Sequence, residues 1–214
     1  TISLDAIDQE THSRITDSNV TVSDILEGIE EATSRGLGPI KVNCVVQRGV
    51  NESQIPKLVR QFRGTGTIVR FIEFMDVGRT NGWTPGQVVP TSEILDFLSR
   101  EFDLVPIMRD SPSDVASRWG HSDGSGEIGF ISSVSQPFCG DCVRARLSSD
   151  GKLFTCLFTT IGHDMSELIR EGGDASNLTE AIKEVWTRRS DRYSEERSSD
   201  AFSLPRVEMS YIGG

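Results

Sequence analysis

The chain has 214 residues, of which 36% are apolar and 25% are charged, and its formal net charge is −10. This composition is typical of a globular protein with a buried core and excludes a disordered chain. The acidity argues against a partner that is nucleic acid or an anionic membrane, and no apolar run approaches the ~20 residues that span a bilayer.

Strand and helix signals alternate over residues 1–103. Apolar, β-rich runs predict strands at residues 2–4, 40–46 and 68–75. Apolar residues at helical spacing predict helices after the capping box Thr21-Val-Ser-Asp24, over residues 53–63, and from Pro90 onward. Strands separated by helices of this length predict an α/β fold with a parallel sheet or barrel.

The pattern changes at residue 104, where Gly- and Ser-rich loops begin. The remaining signals, in chain order, are a strand at 127–134, a hairpin of residues 143–147 and 153–157, helices near 164–171 and 178–189, and a polar segment at 190–203 that we expect to be loose. The hairpin turn is Ser149-Asp-Gly-Lys152, a typical turn sequence. We therefore divide the chain into residues 1–103 and residues 104–214.

Three of the four cysteines lie close together in sequence, as Cys139-Gly-Asp-Cys142 and then Cys156 beyond the hairpin turn. A two-residue gap lets two thiolates reach one metal centre, and we expect the hairpin to return Cys156 to them. Three soft ligands are typical of zinc or an iron–sulfur cluster in a reducing, cytoplasmic compartment. On a four-iron cluster they would leave one iron open to a substrate.

Two alternatives for these cysteines stay open. Structural zinc normally takes a fourth protein ligand, and the nearest histidines outside the segment are His121 and His163. The thiols could also bind no metal. We interpret the fourth cysteine, Cys44, as a packed residue, and the three histidines, His12 included, as surface residues.

Basic residues near the cysteines suit an anionic ligand. Arg144 and Arg146 alternate on a predicted strand, so we expect them to share a face that could grip a polyphosphate. Lys41 opens a predicted strand, and Met75, considered alone, would be a core residue. Glu73 is charged within an apolar strand, which is unusual unless the side chain is paired or faces a site.

The segment Phe138-Cys-Gly-Asp-Cys-Val-Arg-Ala-Arg-Leu-Ser-Ser-Asp-Gly-Lys-Leu-Phe-Thr-Cys-Leu-Phe158 resembles the second-cluster signature of the GTP 3′,8-cyclase family. These are radical-SAM enzymes that begin molybdenum-cofactor synthesis. Further resemblance is carried by Ser3-Leu-Asp-Ala-Ile-Asp8, Lys41-Val-Asn-Cys-Val-Val-Gln-Arg-Gly-Val-Asn51, Arg70-Phe-Ile-Glu-Phe-Met-Asp-Val-Gly78 with Asn81-Gly-Trp83, and the terminal Gly213-Gly214. It covers essentially the whole chain, most weakly in residues 104–126 and 190–205. Val143 departs from the family's usual Asn and leaves the ligands unchanged.

The resemblance implies a fold and a set of site residues. Residues 1–103 would be the latter part of a partial (β/α)6 radical-SAM barrel, and residues 104–214 a C-terminal molybdenum-cofactor-synthesis domain. The implied roles are a second 4Fe–4S cluster on Cys139, Cys142 and Cys156, GTP binding by Lys41, Arg144 and Arg146, contacts to S-adenosylmethionine from Ser3 and Met75, and a family-specific terminus at Gly213 and Gly214.

The resemblance also implies a reaction, the conversion of GTP to 3′,8-cyclo-7,8-dihydro-GTP. S-adenosylmethionine is cleaved at a first 4Fe–4S cluster, the 5′-deoxyadenosyl radical takes hydrogen from the ribose C3′, and C3′ then bonds to guanine C8. The C-x3-C-x2-C motif of that first cluster is absent from this sequence, so we expect the chain alone to be inactive. Implied partners are GTP, S-adenosylmethionine, an electron donor, a second copy in a homodimer, and the cyclic pyranopterin monophosphate synthase that takes the product. The alternatives are another radical-SAM enzyme with an auxiliary cluster and a zinc-stabilised nucleotide-binding module.

Overall fold

The computed structural model describes residues 1–78, 80–197 and 207–212. The chain forms two compact units, the first made of Thr1–Met75 and Thr84–Pro137 and the second of Asp76–Trp83 and Phe138–Gly214. No helix among the described residues is long and apolar enough to cross a membrane. The predicted division into residues 1–103 and residues 104–214 stays a prediction.

A six-stranded sheet forms the centre of the first unit. Its strands are β1 (Ile2–Ser3), β2 (Lys41–Val46), β3 (Ile68–Glu73), β4 (Leu104–Ile107), β5 (Ser117–His121) and β6 (Glu127–Ile131), in the spatial order β1-β2-β3-β6-β5-β4. β1, β2, β3 and β6 run parallel, whereas β4 and β5 are antiparallel additions at one edge. The predicted α/β fold with a mainly parallel sheet is confirmed.

Helices connect the parallel strands of the first unit. They are α1 (Gln9–Thr16), α2 (Val22–Ser34), α3 (Ile55–Phe62) and α4 (Thr91–Leu98). The predicted capping box begins α2, because the Thr21 hydroxyl accepts a hydrogen bond from the N–H of Asp24 (3.1 Å) and the Asp24 carboxylate accepts one from the N–H of Thr21 (3.0 Å). Two N–H groups that the helix cannot pair internally are satisfied in this way.

Alternate residues of β2 and β3 belong to one hydrophobic core. Val42 and Cys44 are fully buried there, together with Leu58 of α3 and Ile94 of α4. Each fully buried aliphatic side chain contributes about 1.5–3 kcal/mol. The side chains between them point to the opposite face of the sheet, where they are only half-buried. That second face therefore leaves polar groups such as Lys41 available for a site.

The fully buried Glu73 has a structural role that the sequence left open. Its carboxylate accepts hydrogen bonds from the N–H groups of Thr91 (2.9 Å), Val134 (2.8 Å) and Ser135 (2.7 Å). The negative charge also lies at the N-terminus of α4, which the helix dipole favours. Glu73 thus joins the end of β3 to α4 and to the loop after β6.

A three-stranded antiparallel sheet and three helices form the second unit. The strands are β7 (Arg146–Leu147), β8 (Lys152–Phe154) and β9 (His163–Asp164), in that spatial order, and the helices are α5 (Ser166–Arg170), α6 (Ala175–Thr187) and α7 (Tyr193–Glu196). Asp174 caps α6 by accepting from the N–H groups of Ser176 (2.8 Å) and Asn177 (3.0 Å). The predicted hairpin is confirmed, but its strands are shorter than predicted.

Several predictions were wrong about which residues pack. His12 and His121 are buried rather than on the surface, with 3% and 5% of their area exposed, and only His163 is exposed. His121 lies on a strand of the sheet, where its ring meets the edge of Phe102 at a centroid distance of 5.6 Å. The polar residues around His121 in the sequence did not indicate its burial, because its strand lies inside the sheet.

The segment expected to be loose is described over residues 190–197, and this part contains the helix α7.

Candidate functional site

The Cys139-x-x-Cys142 segment folds into a tight turn. A 3-10 turn spans Cys139–Asp141, and the N–H of Cys142 donates to the carbonyl of Cys139 at 3.2 Å. Cys156 lies two residues beyond β8, where its Sγ accepts from the N–H of Phe158 at 3.5 Å. All three thiols are free and partly exposed, and none lies on a strand. The thiols therefore lie in the loops that flank the hairpin, and not on its strands.

Arginines surround these thiols and change their acidity. Burial alone would raise the pKa of Cys142, but hydrogen bonds from the N–H and side chain of Arg144 and from Arg189 outweigh it, so the pKa is lowered. Burial raises the pKa of Cys156, and the charges of Asp191 and Cys139 add to that effect. Of these two thiols, Cys142 is therefore the one whose surroundings favour the thiolate, the form that binds metals.

The donor chemistry fits a thiolate-bound metal centre, although the thiols do not converge on one point. Among the residues that the structure describes, no group of three or more His, Cys, Asp or Glu side chains is arranged to hold a metal ion. The charge of Cys139 nevertheless acts on the pKa of Cys156, and the charges of Cys142 and Cys156 both act on the pKa of Arg146. Three free soft donors in a basic surrounding are suited to iron–sulfur or zinc ligation.

Arg144 and Arg146 lie beside the thiols but not on one strand face. β7 begins at Arg146, so Arg144 precedes the strand, and the prediction that the two residues alternate on a strand is wrong. The guanidinium of Arg144 is exposed and lies 5.1 Å from the centre of the Phe138 ring. Arg146 is half-buried, and burial, followed by the charge of Arg144, lowers its pKa. Their charges interact, so both guanidiniums remain near the same site.

The segment after α6 also reaches the cysteine turn, which the sequence did not predict. Arg192 donates from Nε to the Glu195 carboxylate at 2.5 Å, and the other oxygen of Glu195 accepts from the N–H of Gly140 at 3.2 Å. Arg189 donates to the carbonyl of Cys142. The sequence shows arginines after the predicted helix. Nothing in it indicates that Arg189 and Arg192 lie near the Cys139–Cys142 turn, which is distant along the chain.

A buried ion pair anchors the same segment. Arg197 and Asp76 have 9% and 1% of their side-chain area exposed and lie 2.9 Å apart, and the Tyr193 hydroxyl donates to Asp76 at 2.6 Å. The Tyr193 ring stacks on Phe158 at a centroid distance of 4.5 Å. Because Phe158 lies two residues beyond Cys156, these contacts fix the chain on that side of the cysteine site.

The first unit carries a separate group of predicted site residues. Ser3 lies on β1 and is paired in register with Asn43 of β2, while Lys41 is the first residue of β2. Met75 lies two residues after β3 ends, so the prediction that it sits on the strand is wrong. Gly213 and Gly214 lie outside the described residues.

Lys41 lines a cavity of about 290 Å³ on the half-exposed face of the sheet, together with Arg70 and Arg118. Arg118 is neutralised by Glu127 at 2.7 Å and by Asp110 at 2.6 Å. Within the described residues, Lys41 and Arg70 form no ion pair. Arg70 instead donates to Asn43 at 2.8 Å, and burial lowers its pKa. The cavity is also lined by Asp114, so it places two cations, which have no ion-pair partners among the described residues, beside a third carboxylate. Of these two cations, only Lys41 was predicted from the sequence.

The fourth cysteine takes no part in either site. Cys44 is fully buried in the core of the first unit, and burial raises its pKa well above the usual value. The interpretation of Cys44 as a packed residue is confirmed. It is the natural control for experiments on the other three.

Known proteins resemble this chain along its whole length. A GTP 3′,8-cyclase of Acidothermus cellulolyticus is 43% identical over 239 residues, which cover 100% of this chain and 66% of that protein. GTP 3′,8-cyclases of Xanthomonas axonopodis pv. citri and Staphylococcus carnosus are 46% and 43% identical, with all of this chain and 64% of each relative covered. The resemblance inferred from the motifs is confirmed, and the chain spans just under two thirds of the length of these curated relatives.

A family model agrees with the relatives. The model described as Molybdenum Cofactor Synthesis C matches residues 67–195, which is more than half of the chain. The matched range includes all three clustered cysteines and most of the arginines around them. On this evidence the chain belongs to the Molybdenum Cofactor Synthesis C family.

Proposed function

We propose that the chain serves in a GTP 3′,8-cyclase and that its second unit holds an iron–sulfur cluster on Cys139, Cys142 and Cys156. The observation that carries this proposal is the set of three free thiols surrounded by arginines, in a chain whose overall charge is −10. The relatives named GTP 3′,8-cyclases support the assignment to that reaction. Residues 104–214 would be the C-terminal domain of such an enzyme.

The arginines of the second unit would hold the nucleotide. GTP is strongly anionic, so an acidic protein needs a local basic cluster to bind it. Arg144 and Arg146 provide such a cluster beside the thiols, and guanidinium groups pair well with phosphate oxygens. Their charges would also orient the nucleotide by its phosphate end. When bound, a cluster with three protein ligands supplies one iron with a position free for a donor atom of the substrate.

In the first unit, residues 1–103 would be the latter part of a partial radical-SAM barrel. The parallel strands β1, β2 and β3 with intervening helices support this proposal. Lys41 and Arg70 would provide contacts to anionic groups in their cavity, and Ser3 and Met75 would contact S-adenosylmethionine. An electron donor, a homodimeric partner and a synthase that takes the product are proposed on the same grounds.

Anaerobic reconstitution with iron and sulfide tests the cysteine assignment. We expect about four irons and four sulfides per chain, the content of a cluster of this ligand type. Cys142→Ser and Cys156→Ser should each lose most of that iron, because a hydroxyl is a poor substitute for a thiolate ligand. Cys44→Ala should retain it, since Cys44 is buried away from the site.

The alternatives give different results in the same experiment. Stoichiometric zinc without sulfide would contradict the iron–sulfur assignment and support the alternative of a zinc-stabilised nucleotide-binding module. Equal iron in Cys44→Ala and Cys156→Ser would show that the thiols are not ligands. In either case the proposed reaction would lose the observation that supports it.

A further inference from the structure

Two neighbouring arginines at the end of α6 have opposite environments. Arg188 is exposed, with 78% of its side-chain area accessible, and pairs with Glu184 one turn earlier in the same helix. Arg189 is largely buried, with 11% of its side-chain area accessible. Burying a guanidinium is costly unless it is paired and hydrogen-bonded, so a buried arginine calls for partners of matching strength.

The partners of Arg189 lie on both sides of the cysteine site. Its Nη1 donates to the carbonyl of Cys142, and its Nε lies 3.5 Å from the carboxylate of Asp191. That carboxylate in turn accepts from the Thr155 hydroxyl at 2.5 Å, and Thr155 directly precedes Cys156. A continuous chain of polar contacts therefore runs from Cys142 through Arg189 and Asp191 to the residue before Cys156.

Packing holds the Arg189 guanidinium in place. It lies over the Trp186 ring, 4.9 Å from the ring centre, which fixes its plane and supplies a favourable cation–π contact. Its Nε has no hydrogen-bond partner among the described residues, because 3.5 Å from Asp191 is too long for a good hydrogen bond. The guanidinium therefore retains unused donor capacity beside two thiols.

We propose that Arg189 is a positioning residue of the three-cysteine site, which ties the Cys142 turn to the segment after β8 that carries Cys156 and supplies a fixed positive charge to the ligand thiolates. This inference rests on the proposed iron–sulfur site. Three thiolates repel one another, and a fixed cation beside them reduces that repulsion. The same charge favours the more negative, reduced state of a bound cluster over the oxidised state.

Two parts of the role of Arg189 can be separated by substitution: its charge, and its simultaneous contacts with the Cys142 carbonyl and Asp191. Arg189→Lys keeps the charge, but a single ammonium cannot reproduce the contacts of both Nη1 and Nε, whereas Arg189→Met removes both charge and contacts and keeps a long apolar stem. Arg188→Lys and Arg188→Met are the matched controls, one residue away on the same helix end. Folding of each variant is checked by circular dichroism.

Each variant is reconstituted anaerobically with iron and sulfide, and two quantities are measured. One is the rate of iron loss to a chelator; the other is the reduction equilibrium of the cluster, followed by electron paramagnetic resonance. Arg189→Lys and Arg189→Met should both lose iron about tenfold faster than the controls, since losing an outer-shell partner typically costs about 10–100-fold in metal affinity. Only Arg189→Met should shift the reduction equilibrium, by about tenfold toward the oxidised state, or about 59 mV for one electron.

The possible outcomes separate failure of this proposal from failure of the iron–sulfur site. If the unsubstituted chain and the Arg188 controls take up no iron with sulfide, the site itself is wrong. If they take it up and both Arg189 variants match the Arg188 controls, the role of Arg189 is overturned. Should Arg189→Met fail to fold, Arg189→Lys decides, and iron loss equal to that of Arg188→Lys contradicts the proposal.

Discussion

Arg144 and Arg146 experience different surroundings although a single residue separates them. Arg144 is exposed over the Phe138 ring, so water and salt screen its charge. Arg146 is half-buried in a less polar environment, which lowers its pKa. Charge-assisted hydrogen bonds are stronger where screening is weaker. Arg146 is therefore expected to contribute more than Arg144 to the binding of a phosphate group.

Replacing Arg146 with Ala should weaken GTP binding by about ten- to hundredfold, because a hydrogen bond to a charged group contributes about 1.5–3 kcal/mol. Arg144→Ala should lose less, and Arg146→Lys should recover only part of the loss, since lysine cannot make the forked contact. Calorimetric titration of the reconstituted chain with GTP measures these affinities. Arg188→Ala, at a position with 78% of its side-chain area exposed, is the control and should bind GTP as the unsubstituted chain does. Equal affinities for Arg146→Ala and Arg188→Ala would locate the nucleotide elsewhere.

Single residues could be predicted where they form a local motif and not where tertiary contacts define them. Cys139 and Cys142 are recognisable because their spacing alone suits one metal centre. Arg70 and Arg189 have no such signal. The first becomes a candidate only because strand pairing places it in the same cavity as Lys41, and the second only because a helix end reaches a distant turn.

The hairpin of β7 and β8 is the element that separates Cys142 from Cys156. Two backbone hydrogen bonds close its turn. The N–H of Ser148 donates to the carbonyl of Lys152 (2.9 Å), and the N–H of Gly151 donates to the carbonyl of Ser148 (3.0 Å). Gly151 has a φ of +87°, which side chains disfavour, and a Cβ at this position would lie 2.7 Å from the Cβ of Ser166. The turn therefore depends on glycine for both backbone and packing reasons.

Gly151→Ala should destabilise the second unit more than Gly172→Ala does. Both glycines have a φ of +87°, but a Cβ at Gly172 would meet nothing within 4 Å. The left-handed backbone should cost each variant about 1–2 kcal/mol, and the contact with Ser166 should cost Gly151→Ala about 1–3 kcal/mol more. Urea unfolding measures both losses, and iron content after reconstitution should fall further in Gly151→Ala. Equal free energies of unfolding for the two variants would contradict the packing argument.

Elements with strong hydrophobic periodicity were predictable, and those stabilised by other means were not. The capping box and apolar spacing predict α2, whereas α1 has the sequence Gln-Glu-Thr-His-Ser-Arg-Ile-Thr, with one aliphatic residue, and depends on the Asp8 cap. The strands β4 and β5 fall where loops were predicted. β4 contains Pro106, which is tolerated because β4 lies at the edge of the sheet, and β5 reads Ser-Arg-Trp-Gly-His without apolar alternation.

The acidity of the whole molecule is compatible with stability because many carboxylates have partners. Hydrogen bonds from the Thr11 N–H and side chain, and from Gln54 and Lys57, lower the pKa of Asp8 to about 2. Hydrogen bonds also lower the pKa values of other carboxylates in both units, among them Asp24, Glu93, Glu101, Asp150, Asp164 and Glu195. Asp5 is an exception, since burial raises its pKa. Among the carboxylates that the structure describes, those with a lowered pKa outnumber those with a raised pKa, so their combined effect is a loss of stability in acid.

Stability should therefore fall as the pH falls from about 5 to about 2. A carboxylate whose pKa is lower in the folded chain binds fewer protons there than in the unfolded chain, so its contribution is complete above the unfolded pKa of about 4 and is lost on acidification. Asp5 acts in the opposite direction but is a single group. Urea midpoints of the metal-free chain, measured between pH 7 and pH 2.5, should decrease continuously below about pH 5. Asp8→Asn isolates one contribution, since asparagine still caps α1 but does not titrate, and its midpoint should depend less steeply on pH. Midpoints that stay level or rise on acidification would show that buried groups such as Asp5, rather than the hydrogen-bonded carboxylates, control the stability of this chain.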